Sequence, residues 1–319
     1  MRIIPASEIE ECMTFRDLVE ALRAAFRADV VAPPCHQHDM ALPDARAARL
    51  LLMPAWTDFQ ARRTTRGGYV GVKVATRFPD NARHERPNVM GVYMLFSGHT
   101  GEPLAVLDGR ALTLWRTAAA SALAATYLAR EDASRLLMVG AGALAPYLIE
   151  AHASIRPIRH VLIWNRNPDR ARRLAALFRN STYTVSATED LEGAAGGADV
   201  ISCATPAADP LIKGEWLADG CHLDLVGGFR PDTREGDDAC IERARIFVDT
   251  RPGVLSEAGD IVQPLQSGVL RETDIAADLF ELCRGQKAGR RYYNQLTLFK
   301  SVGASLEDFA AAQHVFARI

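Results

Sequence analysis

Two glycines and an alanine in the middle of the chain have the spacing of a phosphate-binding turn. An apolar run ends in Gly140-x-Gly142-x-x-Ala145, and a helical pattern follows. In such a strand–turn–helix unit the first glycine permits the tight turn, the second lets the backbone approach a pyrophosphate, and the small third residue lets the helix pack on the strand. The free N–H groups at the helix start then face the phosphates. We therefore predict a dinucleotide site at Gly140, Gly142, Ala143 and Leu144.

The residues after the second strand of such a unit distinguish NAD from NADP. NAD-binding proteins place Asp or Glu there, roughly 20 residues beyond the glycines, to bind the ribose hydroxyls. Here the strand is followed by Asn165-Arg166-Asn167, with no acid at its end. Asn165 can hydrogen-bond a 2′-phosphate and Arg166 can pair with it, although a solvated surface arginine is the alternative interpretation. The pattern favours NADP(H) as the cofactor, with NAD(H) as the alternative.

Two cations in the first half of the chain are candidates for substrate chemistry. Lys73 stands inside the otherwise apolar strand Gly71-Val72-Lys73-Val74. Lysine is seldom buried without a partner, so Lys73 either serves an anionic ligand or a proton transfer, or lies on a solvated face of the strand. Arg116, just inside a predicted helix, could contact cofactor or substrate, but taken alone it is typical of a surface charge.

The second half of the chain alternates between short apolar strands and helices. The predicted strands are Leu136–Val139, Val161–Trp164, Val200–Cys203, His222–Val226 and Ile246–Val248, with helices over 168–178 and 191–196 among those between them. This alternation predicts a parallel sheet wrapped by helices. Ligands of such sheets bind beyond the carboxyl ends of the strands, which here are Gly140, Asn165, 204–206, Gly227-Gly228 and Asp249.

The first half of the chain is rich in strands before any strand–helix–strand unit begins. Leu50–Met53, Tyr69–Ala75 and Val89–Phe96 are the predicted strands, and they indicate a separate mixed or antiparallel sheet. An alanine-rich helix, Leu112–Leu128, leads into the second domain. A closing helix, Leu306–Phe316, is expected to pack back on the first domain.

Composition excludes several classes of partner. The 319 residues suffice for two domains with proper cores, and 48% apolar with 24% charged residues is typical of a globular protein. A net charge of −2 gives no support for a nucleic-acid or membrane surface. No apolar run approaches the length of a membrane span, and the first residues lack a signal-peptide pattern. Six scattered cysteines without a C-x-x-C pair indicate reduced thiols, so we expect a cytoplasmic protein.

Several stretches together resemble the ornithine cyclodeaminase/mu-crystallin family, and the match covers nearly the whole chain. They are residues 51–55, 71–73, 78–81, 101–104, 112–113 with 116–121, the glycine turn, and 298–303. The resemblance implies an α/β homodimer that uses a nicotinamide cofactor on amino acids and cyclic imines. Each chain would combine a Rossmann dinucleotide-binding domain with an α+β substrate-binding and dimerisation domain. We place the Rossmann domain at 119–296 and the other domain at 1–118 together with 297–319.

The same resemblance implies roles for particular residues. Lys73 would be the catalytic residue, contacting the substrate carboxylate and the imine region. The cofactor would be contacted by Asn88, Arg116, Thr117, Gly140, Gly142, Ala143, Leu144, Asn165, Arg166, Asn167, Thr205, Val226, Gly227 and Ser301. Substrate contacts would come from Lys73, Arg116, Phe229 and Glu257.

The chain departs from the cyclodeaminases of this family after the fifth Rossmann strand. Those enzymes carry an aspartate just beyond the strand's glycines, where it activates water against the imine. Phe229 stands at that position here. Phenylalanine cannot act as a base, although simple core packing of the ring is the alternative interpretation. The continuation over residues 230–235 resembles the pyrroline-2-carboxylate and ketimine reductases.

A second departure concerns the substrate carboxylate. The reductase branch usually has an arginine after an early proline, whereas Pro33-Pro34 is followed here by Cys35-His36-Gln37-His38. One of the histidines could replace the arginine as a carboxylate donor. A metal site at His36 and His38 is disfavoured, because no acidic or further cysteine partner stands at ligand spacing beyond Cys35. We predict no metal.

These observations favour NADPH-dependent reduction of a small cyclic α-imino acid. The expected substrates are Δ1-pyrroline-2-carboxylate and Δ1-piperideine-2-carboxylate, which give L-proline and L-pipecolate. The alternatives are cyclodeamination of L-ornithine to L-proline and ammonia, reductive amination of the alanine dehydrogenase type, and a non-catalytic NADP-linked binding protein like mu-crystallin.

Overall fold

The computed structural model describes residues 1–43, 45–63 and 67–319, and the chain forms two compact units. The first unit combines Met1–Thr117 with Ala304–Ile319, and the second is Ala118–Gly303. The chain leaves the first unit through a long helix and returns to it at the end. The first unit is therefore discontinuous in sequence.

The elements follow one another along the chain without a long irregular connection. The strands are β1 Arg2–Ile4, β2 Val30–Val31, β3 His36–Met40, β4 Ala48–Thr57, β5 Tyr69–Arg77, β6 Val89–Ser97, β7 Pro103–Asp108, β8 Arg135–Val139, β9 His160–Trp164, β10 Thr184–Thr188, β11 Val200–Cys203, β12 His222–Leu225, β13 Arg245–Val248, β14 Ile275–Asp278 and β15 Thr297–Lys300. The helices are α1 Ala6–Cys12, α2 Phe15–Arg27, α3 Phe59–Arg62, α4 Gly109–Leu128, α5 Ala145–Ile155, α6 Pro168–Leu177, α7 Leu191–Gly196, α8 Asp238–Arg243, α9 Arg251–Glu257, α10 Gly259–Ser267, α11 Leu279–Cys283 and α12 Ser305–Phe316. Short 3-10 turns lie at Asn81–His84, Gly214–Trp216 and Glu272–Asp274.

The sheet of the first unit is antiparallel apart from its β1 edge. Its strand order within the described residues is β1-β7-β6-β5-β4-β2, and β3 also pairs with β4. The register places Met53, Lys73, Tyr93 and Leu107 directly opposite one another on four neighbouring strands. Residues opposite one another in antiparallel strands share a face of the sheet. This row therefore brings Lys73 onto one face beside three apolar or aromatic residues.

Helices α2 and α12 pack together in the first unit, and α12 also contacts β4, β5 and β6. The hydroxyl of Thr14 caps α2 by accepting a hydrogen bond from the backbone N–H of Asp17 at 3.2 Å. The apolar side of α2 is fully buried at Leu18, Leu22 and Phe26. The expectation that the closing helix packs on the first domain is confirmed.

The second unit holds a parallel sheet with the order β10-β9-β8-β11-β12-β15-β13-β14. The strands pair in parallel throughout, and helices such as α5, α6 and α7 make the crossings between them. The strand order reverses at β8, which lies between β9 and β11. A reversal of this kind opens a crevice at the carboxyl edge, where dinucleotides bind in Rossmann folds.

One boundary of the predicted domains is wrong. We expected residues 297–319 to belong to the first domain, but β15 lies between β12 and β13 in the parallel sheet. The chain therefore returns to the first unit only at Ala304. The sequence signal was ambiguous because a four-residue strand pairs with partners about fifty to seventy-five residues away, which local pattern does not reveal.

The α/β class, the parallel sheet and the separate antiparallel sheet are confirmed. The prediction missed β3, β7, β10, β14 and β15, which are short or polar. In the described part of the chain, no helix is both long and apolar enough to span a bilayer.

Candidate functional site

The glycine turn has the geometry that a pyrophosphate requires. Gly140 has a φ of 110°, which only glycine adopts readily, and a Cβ there would lie 2.8 Å from the carbonyl oxygen of Ala204. At Gly142 a Cβ would meet nothing within 4 Å, so the backbone at this point faces open space. Helix α5 begins after Leu144 without a side-chain cap. The turn therefore fits the phosphates of a dinucleotide.

The segment after β9 supports the glycine turn. The side-chain oxygen of Asn165 accepts the backbone N–H of Ala141 at 3.2 Å, and its amide donates to the carbonyl of Asn167 at 2.9 Å. The Asn167 side chain caps α6 by accepting the N–H of Asp169. Arg166 is exposed, and the described residues place no carboxylate within ion-pair distance of it. The two asparagines thus shape the loop, and Arg166 is the free cation at the strand end.

Four other predicted cofactor residues lie at the same edge of the parallel sheet. Thr205 follows β11, Val226 and Gly227 follow β12, and Ser301 follows β15. Glu235, which the sequence analysis did not single out, accepts hydrogen bonds from the N–H and hydroxyl of Thr205 at 2.7 and 2.8 Å. It also accepts the N–H of Gly227 at 2.7 Å. A single buried carboxylate therefore holds the ends of two neighbouring strands.

Lys73 and Arg116 meet in the first unit, where both are buried. Lys73 Nζ lies 2.6 Å from Asp308 Oδ2, and Arg116 Nε lies 3.2 Å from Asp308 Oδ1. Arg116 also donates to Glu307 Oε2 at 2.7 Å. We call Lys73, Arg116, Glu307 and Asp308 the ion cluster. The interpretations of Lys73 as a solvated lysine and of Arg116 as a surface charge are wrong, because their side chains are only 7% and 6% exposed.

The ion cluster balances two cations against two carboxylates in a place with little solvent. Burial lowers the pKa of Lys73, and the Asp308 carboxylate opposes that shift. The hydroxyl of Tyr93, opposite Lys73 in the sheet, has no hydrogen-bond partner among the described residues. Burial, with the Asp308 charge adding to it, raises the pKa of Tyr93 well above its usual value. Tyr93 therefore stays neutral and can donate a proton in a hydrogen bond.

Gly71 makes room for the Tyr93 ring. A Cβ at Gly71 would overlap the Tyr93 hydroxyl, so the ring crosses the strand where a side chain is missing. The predicted Gly71-Val72-Lys73 stretch thus places a lysine and creates the space for the aromatic ring beside it.

Other predicted site residues are less closely grouped. Asn88 is exposed just before β6, and Thr117 is half-buried in α4. Phe229 and Glu257 belong to the second unit, so neither is part of the ion cluster. Phe229 is 47% exposed, which argues against core packing of its ring.

The histidines of β3 do not stand beside Lys73. His36 pairs with Leu52 and His38 with Leu50, whereas Lys73 pairs with Met53. Successive residues of a strand point to opposite faces, so both histidines lie on the face away from Lys73. Neither can replace an arginine in the ion cluster. Within the described residues, no three His, Cys, Asp or Glu side chains are grouped to hold a metal ion.

Sequence reasoning missed the carboxylates Glu307 and Asp308 and the polar residues Glu235, Asp260 and Lys300. A signal for some of them exists. Glu307 and Asp308 interrupt an otherwise apolar helix, and Lys300 ends an apolar strand as Lys73 interrupts one. Charges in buried patterns need partners. Which partner each one takes depends on tertiary contacts that spacing does not show.

Comparisons with known proteins agree along the whole chain. The model of the ornithine cyclodeaminase/mu-crystallin family matches residues 2–319. An uncharacterised protein of Schizosaccharomyces pombe is 42% identical over 92% of this chain and 90% of its own. A Delta(1)-pyrroline-2-carboxylate reductase of Colwellia psychrerythraea is 35% identical over 100% of this chain and 99% of its own.

A solved structure with the same fold is the Delta(1)-pyrroline-2-carboxylate reductase of Thermococcus litoralis, in complex with NADH and L-proline. It is 30% identical, covers 100% of this chain and 97% of its own, and superposes with a TM-score of 0.91. The Rossmann assignment of the parallel sheet is confirmed by this likeness.

The ion cluster predicts a large effect of one substitution on stability. Asp308→Asn removes a charge from a fully buried site and leaves Lys73 with a neutral partner, so we expect the free energy of unfolding to fall by about 3 kcal/mol. Asp17→Asn is the control, since Asp17 pairs with Arg318 at the surface and its loss should matter much less. Denaturant unfolding of both variants makes the measurement. Equal losses would contradict a special role for the buried pair.

Proposed function

The chain belongs to the ornithine cyclodeaminase/mu-crystallin family, and we propose that it reduces a small cyclic α-imino acid with a nicotinamide cofactor. The expected substrates are Δ1-pyrroline-2-carboxylate and Δ1-piperideine-2-carboxylate, and the products are L-proline and L-pipecolate. The observation that carries the proposal is the full-length likeness to a reductase whose structure holds NADH and L-proline. The buried ion cluster supplies the chemistry that such a substrate needs.

The charge of the ion cluster suits the substrate. A protonated cyclic imino acid carries one carboxylate and one iminium cation, so it adds no net charge to a balanced set of two cations and two carboxylates. Lys73 and Arg116 would hold the substrate carboxylate, and Asp308 would face the iminium. The low-dielectric surroundings strengthen each of these contacts.

Reduction needs a hydride at the imine carbon and a nitrogen that stays protonated. The nicotinamide, when bound, supplies the hydride. Lys73 and Asp308 keep an ionised hydrogen-bond network in which a protonated imine is stabilised. Phe229 replaces the aspartate with which cyclodeaminases of this family activate water, and an exposed apolar ring provides no base. The intact imine is then left for hydride attack.

The outer face of the first sheet supports the expected homodimer. Opposite the ion-cluster face, apolar side chains run across four strands: Leu52, Pro54, Trp56, Val70, Val72, Val74, Met90, Val92, Met94, Phe96 and Val106. Met90 and Val92 are 48% and 40% exposed in the single chain. Apolar surface of this extent is typical of a protein interface. We propose that a second copy of the chain covers it.

A substrate screen tests the proposed activity. We expect the protein to oxidise NADPH when Δ1-pyrroline-2-carboxylate or Δ1-piperideine-2-carboxylate is added, and to release no ammonia from L-ornithine with NAD+ or NADP+. Loss of absorbance at the reduced nicotinamide band and an ammonia assay are the measurements. Ammonia release from ornithine would establish a cyclodeaminase instead. Turnover with pyruvate and ammonia alone would establish reductive amination, and binding without turnover would establish a binding protein.

Lys73 is expected to be essential to turnover. Lys73→Met keeps the length of the side chain but removes its charge, so we expect kcat/KM for the imino acid to fall about a hundredfold or more, the scale of a lost charged hydrogen bond in the transition state. Cofactor affinity should hardly change. Lys213→Met, which alters an exposed lysine of the second unit, serves as the control. Full activity of the Lys73 variant would remove Lys73 from the mechanism.

The cofactor preference depends on Arg166. We expect NADPH to bind at least tenfold more tightly than NADH, a difference of about 1.4 kcal/mol. Arg166→Ala should abolish this preference because it removes the cation that faces the 2′-phosphate. Arg173→Ala, an exposed arginine on α6, is the matched control. Dissociation constants from fluorescence titration decide the matter, and equal affinities in the unmodified protein would contradict the assignment.

A further inference from the structure

The carboxylate of Glu235 joins two strand ends at the carboxyl edge of the parallel sheet. Its Oε1 accepts the N–H and the hydroxyl of Thr205, at the end of β11, and its Oε2 accepts the N–H of Gly227, at the end of β12. The side chain is fully buried. Backbone groups at the ends of two neighbouring strands are thus tied to one acidic group.

This tie reaches the glycine turn. A Cβ at Gly140 would lie 2.8 Å from the carbonyl oxygen of Ala204 and 3.1 Å from the methyl group of Thr205. The turn after β8 therefore rests on the loop that Glu235 holds. Gly227 is equally close-packed, because a Cβ there would overlap the Thr205 backbone. A change in the bonds of Glu235 would be felt by both loops at the dinucleotide edge.

Glu235 is part of a buried group with an uneven number of charges. Asp260 Oδ1 accepts the backbone N–H of Glu235 at 2.8 Å and that of Gly236 at 3.1 Å. Asp260 Oδ2 lies 3.0 Å from Lys300 Nζ. The three side chains, Glu235, Asp260 and Lys300, are 0% exposed. Two carboxylates face one cation, so the group is neutral only when one carboxyl is protonated.

The titratable groups that face Glu235 come from three elements: Lys300 from β15, Asp260 from α10 and Cys203 from β11. Burial raises the pKa of Glu235 to about 7, Lys300 opposes the shift and Asp260 adds to it. Burial also raises the pKa of the Cys203 thiol well above its usual value, so Cys203 brings no charge near neutrality. The proton that leaves near neutral pH is therefore the one on Glu235.

We propose that Glu235 is a positioning residue that, as a carboxylate, fastens the Thr205 and Gly227 loops for the dinucleotide and, when protonated, loosens them and weakens dinucleotide binding. A protonated carboxyl loses its charge and one acceptor position, and hydrogen bonds to a neutral acceptor are about half as strong. The proposal rests on the proposed use of a nicotinamide cofactor. It adds a residue that acts through Thr205 and Gly227 and does not itself touch the cofactor.

Direct binding of NADH at several pH values tests the proposal. NADH is the probe because it lacks the 2′-phosphate, which itself titrates near pH 6. For protein freed of nucleotide, we expect the dissociation constant to rise about tenfold between pH 8 and pH 6, the limit for one coupled proton. Glu235→Gln should bind weakly at every pH, since its amide N–H would face the Gly227 N–H.

Asp224→Asn is the matched control. Asp224 is another fully buried carboxylate of the same sheet, held by the hydroxyls of Ser202 at 2.7 Å and Ser121 at 2.9 Å and paired with His152. It contacts neither Thr205 nor Gly227 through its side chain in the described hydrogen bonds. We expect this variant to keep the pH dependence of NADH binding. Loss of that dependence in Asp224→Asn would overturn the assignment to Glu235.

Thermal unfolding without cofactor separates positioning from mere structural support. The folded protein, with the raised pKa of Glu235, takes up a proton as the pH falls from 8 towards 5, before the unfolded chain does. The melting temperature of the unmodified protein should therefore rise relative to Glu235→Gln as the pH falls, while NADH binding weakens. A purely structural role would move both in the same direction, and that result would overturn the proposal.

The remaining outcomes are also decisive. If Glu235→Gln fails to fold, Glu235→Asp replaces it, and we expect weaker NADH binding with the pH dependence retained. A pH-independent dissociation constant in the unmodified protein overturns the role of Glu235 and leaves the proposed function standing. Absence of NADH and NADPH binding at every pH overturns the proposed function itself.

Discussion

A lysine inside a β-sheet is stable only if a carboxylate is buried with it, and the first unit is arranged around that requirement. Desolvation of an unpaired ammonium costs several kcal/mol, roughly as much as the whole stability of a domain. Lys73 finds its partner 235 residues further along the chain, at Asp308. The closing helix must therefore return to the first sheet after the parallel sheet is complete. The discontinuous first unit follows from this one ion pair together with the apolar surface that α12 buries.

The second unit meets a similar requirement at the carboxyl edge of its sheet. Strand ends leave backbone N–H groups without ladder partners, and a buried N–H must be satisfied. Glu235 and Asp260 supply the acceptors at the ends of β11 and β12, while the glycine turn after β8 keeps an open surface for phosphates. The same edge therefore combines a rigid part, built on buried carboxylates, with a part left free for a ligand.

Local pattern was enough to predict what depends on local structure. The tight turn at Gly140, the cap at Asn165–Asn167 and the strands that flank them arise from residues close in sequence, and the structure has them where spacing placed them. The lysine in an apolar strand correctly marked a special position. Its partner could not be predicted, because any of 39 acidic residues could have met it and only the tertiary fold selects one. The place of β15 was missed for the same reason.

Isotope transfer tests the central claim, that hydride passes to the imine carbon of a cyclic α-imino acid. NADPH carrying deuterium at both C4 positions would be incubated with the protein and Δ1-piperideine-2-carboxylate in ordinary water, and the product would be analysed by mass spectrometry and NMR. The account predicts L-pipecolate with one deuterium, bound to Cα. Oxidation of the cofactor without deuterium at Cα, or no amino acid product at all, would contradict it.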